Sequence, residues 1–449
     1  MRLMMHESAV AMQRRRSLRY TAPMRFALPD IRREERAAVG WSFLYFLSLL
    51  CAYYIVRPVR DEMGIQAGVE NLPWLFTATF AVMLFAVPLF GWLTGRWERR
   101  IALPAVYLFF IANLLAFYAA FQHDSLRAAA ARAFFVWVSV FNLYAVSVFW
   151  SFMVDLYSEA QGRRLFGYIA AGGTAGALLG PALTAVVVPA TGAVPLLLVS
   201  AGMLSVSLLC ITRLSAWSRG LPPGGDNAVR GEPLGGGVWD GVRAVLSSRY
   251  LLGISFYLVA YTVLSTLLYV ETARLVSEGY PVSADRTRLF ATLDLAVNAV
   301  TLVLQVVLTG AMLQRLGVTV TLALLPAFAV IGFGVLSVFP ALTVMLAFGV
   351  IRRAGEFALS KPAREILFTV IPREEKYKAK NFIDTVVYRG GDALSGWLAS
   401  ALRSLGAGLS AIALAAVPIS AAWLAVAIWL GRREERTTGA KDRSVTRAA

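Results

Sequence analysis

Apolar runs of about 20 residues recur along the whole sequence, and runs of that length suit the hydrocarbon core of a bilayer. There every backbone N–H and C=O must be satisfied within the protein, so only helices and closed β-barrels can span. Barrel strands alternate apolar and polar residues over about 10 positions. These runs are continuous, so the expected fold is an all-α polytopic membrane protein. A hydrophobic fraction of 58% and a mean hydropathy of +0.64 are equally foreign to a soluble domain.

About twelve spans are expected, at 38–56, 74–93, 101–121, 133–156, 165–188, 194–211, 251–270, 289–313, 318–338, 341–371, 382–402 and 407–430. The long polar interruption, 215–243, contains PPGGDN and PLGGG and reads as a linker. The predicted organisation is a basic N-terminal segment (1–36), a six-helix half (37–213), a linker (214–248), a second six-helix half (249–431) and a tail (432–449). Traces of repetition support two parallel halves. Gly91 and Arg96 are matched by Gly310 and Arg315, while Glu159, Arg164 and Phe166 are matched by Glu375, Lys380 and Phe382.

The net charge of +16 would suggest a nucleic-acid partner in a soluble protein. Here its placement explains it. Arg14, Arg15, Arg16, Arg19, Arg25, Arg32, Arg33 and Arg36 precede the first span, and further basic residues crowd alternate loops and the linker. The positive-inside rule then places both termini and the linker in the cytoplasm, with no nucleic acid required. The first apolar run is too long for a secretory signal and lacks a small-residue cleavage pattern, so an uncleaved first helix is expected. Cys51 and Cys210 read as small core residues, and His6 and His123 form no metal or proton-relay constellation. Walker, HExxH and GxSxG motifs are missing from the sequence, which argues against an enzyme or a primary pump. A monomer without cofactors is expected.

Charges inside membrane-length segments are costly and usually face a cavity. The densest group is 352–392, RRAGEFALSKPAREILFTVIPREEKYKAKNFIDTVVYRGGD. Arg352 and Glu356 are four apart, as are Lys361 and Glu365, and Arg364 joins Ser360 and Glu356 along a neighbouring line. Pro362 is expected to break this helix. Lys376, Lys378 and Lys380 fall in a predicted cytoplasmic loop; Asp384 follows Lys380 by four, and Arg389 and Asp392 lie deeper.

In the first span Tyr53, Arg57 and Asp61 share a face, with Arg60 nearby. Arg57 either meets an anion or pairs with Asp61; an arginine reaching up to the headgroups is the plain alternative. In the eighth, Asp294, Asn298, Thr301 and Gln305 form one polar stripe, suited to a cavity or to interhelical hydrogen bonds. Asp155, Glu271 and Arg274 are further candidates or ordinary helix-end charges. The residues expected to meet substrate are therefore Tyr53, Arg57, Arg60, Asp294, Asn298, Glu356, Lys361, Arg364, Asp384 and Arg389. Asp61, Asp155, Glu271, Glu365 and Asp392 are expected to balance charge or couple transport. Guanidinium groups suit phosphate because their planar fork donates two parallel hydrogen bonds. Tyr53, Tyr54 and Tyr388 could stack on a base or simply fill the core.

Several segments carry a family likeness. GWLTGRWERR at 91–100 resembles the loop signature Gly-x-Leu-x-Asp-Arg-x-Gly-Arg-Arg of the major facilitator superfamily, with Gly95 in place of the acid. GALLGP at 176–181 resembles its antiporter motif, although packing through Gly172, Gly176 and Gly180 produces the same pattern. LCAYYIVRPVRDEMG, FWSFMVDLYSEAQGRRLFGYIAAGG and REILFTVIPREEKYKAKNFIDTVVYRGGD resemble the nucleotide transporters of the ATP:ADP antiporter family, found in intracellular bacteria and plastids. The likeness departs at Gly-Gly-Asp392, where that family usually carries a Gly-Lys-Ser-Gly-like run. It implies a major-facilitator fold in a bacterial inner membrane and exchange of nucleotides without hydrolysis. The expectation is a secondary transporter for a phosphorylated anion, ATP/ADP exchange first. The alternative is a proton-coupled exporter of drugs or small organic molecules using Asp294, Glu356 or Asp384 as proton carrier.

Overall fold

Hydrogen bonds that cannot go to water close within each segment, and the apolar runs accordingly fold as helices that extend beyond them. The computed structural model describes residues 31–96, 99–219 and 238–448, with no strand among them. The first half comprises α1 (Arg36–Gln66), α2 (Leu72–Arg96), α3 (Arg99–Phe121), α4 (Asp124–Leu156), α5 (Glu159–Thr191) and α6 (Leu196–Arg219). After the short helix α7 (Val238–Ser247) come α8 (Arg249–Gly279), α9 (Ser283–Arg315), α10 (Gly317–Val338), α11 (342–367), α12 (373–404) and α13 (Leu409–Ala448). Ten of these helices are long and apolar enough to cross a membrane. The two long helices outside that set are α11 and α12, whose embedded charges lower their hydropathy although both pack within the bundle. The arginines from Arg14 to Arg25, most of the linker, and Trp97 and Glu98 of the 91–100 signature lie outside the described residues.

Each half has its own core, around Tyr45, Phe141 and Phe149 in the first and Tyr257, Phe333 and Trp423 in the second. Within the first half α1 and α5 approach closely. A Cβ added to Gly172, Gly176 or Gly180 would run into the backbone carbonyls of Phe43, Leu47 and Cys51 respectively. The glycine run therefore serves helix packing, whatever else it does. Between the halves, α5 packs on α9, α2 on α12 and α1 on α9.

Inter-half contacts gather at the end of the bundle away from the termini. Ile65, Leu72, Leu75 and Phe135 meet Val263, Leu267, Phe290 and Ala399 in an apolar cluster. Gln66 donates to Ser283 (3.1 Å), the Trp397 indole donates to Thr77 (3.1 Å), and Arg286 clasps Glu62 through bonds of 2.6 and 2.8 Å. This end is sealed.

Two backbone expectations are corrected. α1 runs unbroken through Pro58 and ends at Gln66, well past residue 56, because Arg57, Asp61 and Glu62 find partners across the interface. Pro362 does not break α11. The helix widens into a π turn at Glu356–Ser360 and continues as Lys361–Leu367. Proline lacks the N–H that would bond four or five residues back, which frees the carbonyls of Ala358 and Phe357. Thr309 donates to the first (2.8 Å) and Gln305 to the second (3.3 Å), both from a matching π turn in α9 at Gln305–Thr309. The donors come from a neighbouring helix, so the freed carbonyls remain satisfied.

Candidate functional site

Above the midpoint of α1, the two halves part around a cavity of about 480 Å³. Its charged lining comes from α1 (Arg57, Arg60, Asp61), α11 (Arg352, Arg353) and α12 (Arg389, Asp392). Arg57, Arg352 and Asp392 lie roughly ten residues from the sealed ends of their helices, a depth of about 15 Å at about 1.5 Å per residue. That is near the midplane of a hydrocarbon core about 30 Å thick.

The ion pairs hold this layer together and cross the halves. Asp294, 1% exposed, accepts from Arg353 (2.7 Å) and lies 3.4 Å from Arg57, so one carboxylate oxygen bridges α1 and α11. Its other oxygen is buried without a partner. Arg60 sits over the Phe135 ring at 3.9 Å, donates to the Phe135 carbonyl (3.2 Å) and lies 3.4 Å from Asp61. Tyr269 donates to Asp61 (3.0 Å) from the other half. Arg389 lies 3.7 Å from Asp392, which also accepts from Thr266 (3.4 Å). Arg352 donates to Ser265 (2.6 Å) and faces the Tyr261 ring at 5.5 Å. Tyr53, Tyr54 and Tyr388 complete an aromatic lining, with Tyr53 and Tyr54 edge to face at 5.1 Å.

The structure gathers Tyr53, Arg57, Arg60, Asp61, Arg389 and Asp392 on this cavity, with Asp294 behind Arg57 and Arg353. Other expected residues lie elsewhere. Asn298 donates to the Ala177 carbonyl (2.7 Å) and, with Thr301 and Gln305, borders a separate crevice of about 200 Å³. Glu356 and Arg364 are buried against each other at 3.5 Å, and Lys380 binds Glu365 at 2.5 Å, so α11 and α12 carry a second charged layer nearer the terminal end. Lys361 and Asp384 are exposed in that layer. Glu271 is held by Arg403, and Asp155 is exposed at the end of α4. Of the readings open for Arg57, pairing with Asp61 gives way to Arg57–Asp294 and Arg60–Asp61, and the residues spaced four apart in α11, Arg352 with Glu356 and Lys361 with Glu365, do not pair. Spacing of four finds neighbours on one helix, whereas Arg57 and Glu365 found partners on other helices, and Asp61 and Glu356 took partners at other spacings on their own.

Arg353, Ser265, Tyr269 and the Glu62–Arg286 clasp escaped the sequence reading. Arg353 carried the only available signal, a second arginine beside Arg352 in an apolar run; the others required knowing which helices meet.

Comparison with known proteins agrees with this geometry. The family model of the Major Facilitator Superfamily matches residues 38–391. Among individual proteins, the chain is 25% identical over 215 residues to ADP,ATP carrier protein 2 of Chlamydia pneumoniae, a match covering 42% of this chain and 39% of that protein's length. The peptide transporter PepTSo of the POT family shares the fold with a TM-score of 0.63 at 13% identity, over 90% of this chain and 98% of that one. The nucleoside transporter NupG aligns with a TM-score of 0.58 at 13% identity, over 91% and 99%. An inward-facing bacterial homologue of the lysosomal transporter Spinster gives 0.54 at 14%, over 90% and 98%. A match over most of the chain, on a two-half helical bundle with a charged central cavity, shows that this polytopic membrane protein belongs to the Major Facilitator Superfamily.

Proposed function

We propose that this protein exchanges anionic, phosphorylated metabolites across a bacterial inner membrane, with nucleotides such as ATP and ADP as first substrates. The observation that carries the reading is the cavity's excess of arginine: among the described residues, five guanidinium groups line a site between the halves against the two carboxylates of Asp61 and Asp392, with Asp294 behind. A cavity so charged favours anions, and guanidinium forks favour phosphate. The likeness over 215 residues to an ADP,ATP carrier points the same way.

In this reading Arg57, Arg60 and Arg389 hold phosphate oxygens and Tyr53, Tyr54 and Tyr388 stack on the base. The six-helix halves rock about the site in alternation. With the termini and linker in the cytoplasm, the seal lies on the outer face, and the cavity is reached from the cytoplasm. Exchange follows from charge: an empty cavity with unneutralised arginines reorients slowly, and a bound anion in either direction lifts that penalty.

Counterflow in proteoliposomes tests it. Preloaded unlabelled nucleotide should drive uptake of labelled ATP or ADP, and Arg57→Ala should abolish it. No nucleotide-dependent flux would remove the nucleotide substrate. A flux that collapses with the proton gradient and persists in Arg57→Ala would instead identify a proton-coupled exporter.

A further inference from the structure

The five cavity arginines are not equivalent. Arg57 and Arg353 share Asp294, Arg60 lies beside Asp61, and Arg389 lies beside Asp392. Arg352 is the one cavity arginine that meets no carboxylate among the described residues. It is 4% exposed, its Nε has no hydrogen-bond partner, and its polar contact is the Ser265 hydroxyl at 2.6 Å. A buried guanidinium without a counter-charge is costly, and a second charge stays unmatched where two arginines share one aspartate. Counting each arginine-paired aspartate as ionised, five cations face Asp61, Asp392 and Asp294, which leaves two positive charges.

We infer that Arg352, supported by Ser265, is the principal anchor for the substrate's charged group, and that the cavity is matched to a substrate presenting about two negative charges. A phosphate monoester carries about −1.5 to −2 at neutral pH and fits this count. Arg352 donates charge-assisted hydrogen bonds from its guanidinium group, Ser265 orients that group from α8, and the Arg57–Asp294–Arg353 bridge supplies the second positive charge. This inference rests on the anion-transport reading above and revises its detail in two respects: Arg352 anchors the charged group that Arg57, Arg60 and Arg389 surround, and the matched substrate carries the charge of a nucleoside monophosphate rather than that of ATP.

Binding to the purified full-length protein tests it, with orthophosphate, AMP, ADP and ATP as probes without divalent metal and adenosine as the uncharged control. Wild type should bind AMP at least as tightly as ATP, and adenosine weakly. Arg352→Gln should weaken AMP binding by about 30-fold or more, as expected for loss of a buried charge-assisted contact. Arg352→Lys should keep part of the affinity, and Ser265→Ala should lower it by a few-fold while leaving the fold intact. Asp294→Asn raises the net charge of the site by one and should shift preference toward ADP. Should Arg352→Gln fail to fold, Arg352→Lys and Ser265→Ala decide the question. Wild-type AMP affinity in the folded Arg352 variants and an unmoved charge preference in Asp294→Asn would overturn the inference while leaving anion transport standing. If wild type binds none of the charged probes, the anion-transport reading falls with it.

Discussion

The Glu62–Arg286 clasp should hold the sealed end shut, and its removal should open that end. Glu62 is fully buried and Arg286 is 13% exposed at the side chain, with two charge-assisted bonds of 2.6 and 2.8 Å between them. Breaking one partner of such a pair costs about 3–5 kcal/mol, because the other charge stays buried. In Arg286→Ala, Gln66 still donates to Glu62 (3.0 Å), which places the cost near the lower figure. The penalty falls on the sealed arrangement alone: α1 and α9 belong to different halves, and once they part Glu62 meets water. A bias of about 3 kcal/mol is roughly a 150-fold change in the sealed-to-open ratio.

A cysteine at Thr272, on the cavity lining, reports this opening. In a Cys51→Ser/Cys210→Ser background, an impermeant maleimide added from the side opposite the termini should label Thr272→Cys slowly. With Arg286→Ala the rate should rise by about 100-fold, or to the limit set by full opening. The exchanged pair Glu62→Arg/Arg286→Glu should restore much of the slow labelling. A labelling rate within about three-fold of the parent in Arg286→Ala would refute the assignment, since the bias worked out above could not then reside in this clasp.

Two further outcomes follow from the same geometry. Arg403 holds the buried Glu271 within the second half, so Arg403→Ala should lower thermal stability by about 3 kcal/mol without raising labelling at Thr272→Cys; Arg403→Gln/Glu271→Gln should recover part of the loss in a melting experiment. Gly176→Val should cost about 1–3 kcal/mol or more by forcing α5 from α1 and should lower the yield of folded protein, while Gly202→Ala, with open space around its Cβ, should melt as the parent does.

Much of the architecture was legible because hydrocarbon imposes a rule that any single segment must obey. A run such as 318–338 satisfies its backbone internally or does not cross at all, so helix type and approximate span count follow from composition. The same rule marked Arg57, Asp294 and Arg352 as residues needing partners, because each sits in a membrane-length segment. Local spacing then misled at the next step. Arg57 and Asp61 share a face of α1, yet Asp294 from α9 takes Arg57 and Tyr269 from α8 takes Asp61. Pro362 looked like a helix breaker, and in isolation it would be; Thr309 and Gln305 on α9 satisfy the carbonyls it leaves free.

The sequence by itself determined an all-helical membrane bundle with arginine-rich charge buried in its second half. Those properties depend on how each segment partitions between water and lipid, a matter of composition along the chain. Only the tertiary structure decided which charges meet. It divided the 352–392 segment into a cavity layer, with Arg352, Arg353, Arg389 and Asp392, and a second layer in which Glu356, Arg364, Glu365 and Lys380 neutralise one another. Ion pairing at a few ångströms depends on helix rotation and inter-half packing, and neither is encoded in the spacing of one helix. The same packing leaves Arg352 without a carboxylate among the described residues and seals one end of the bundle.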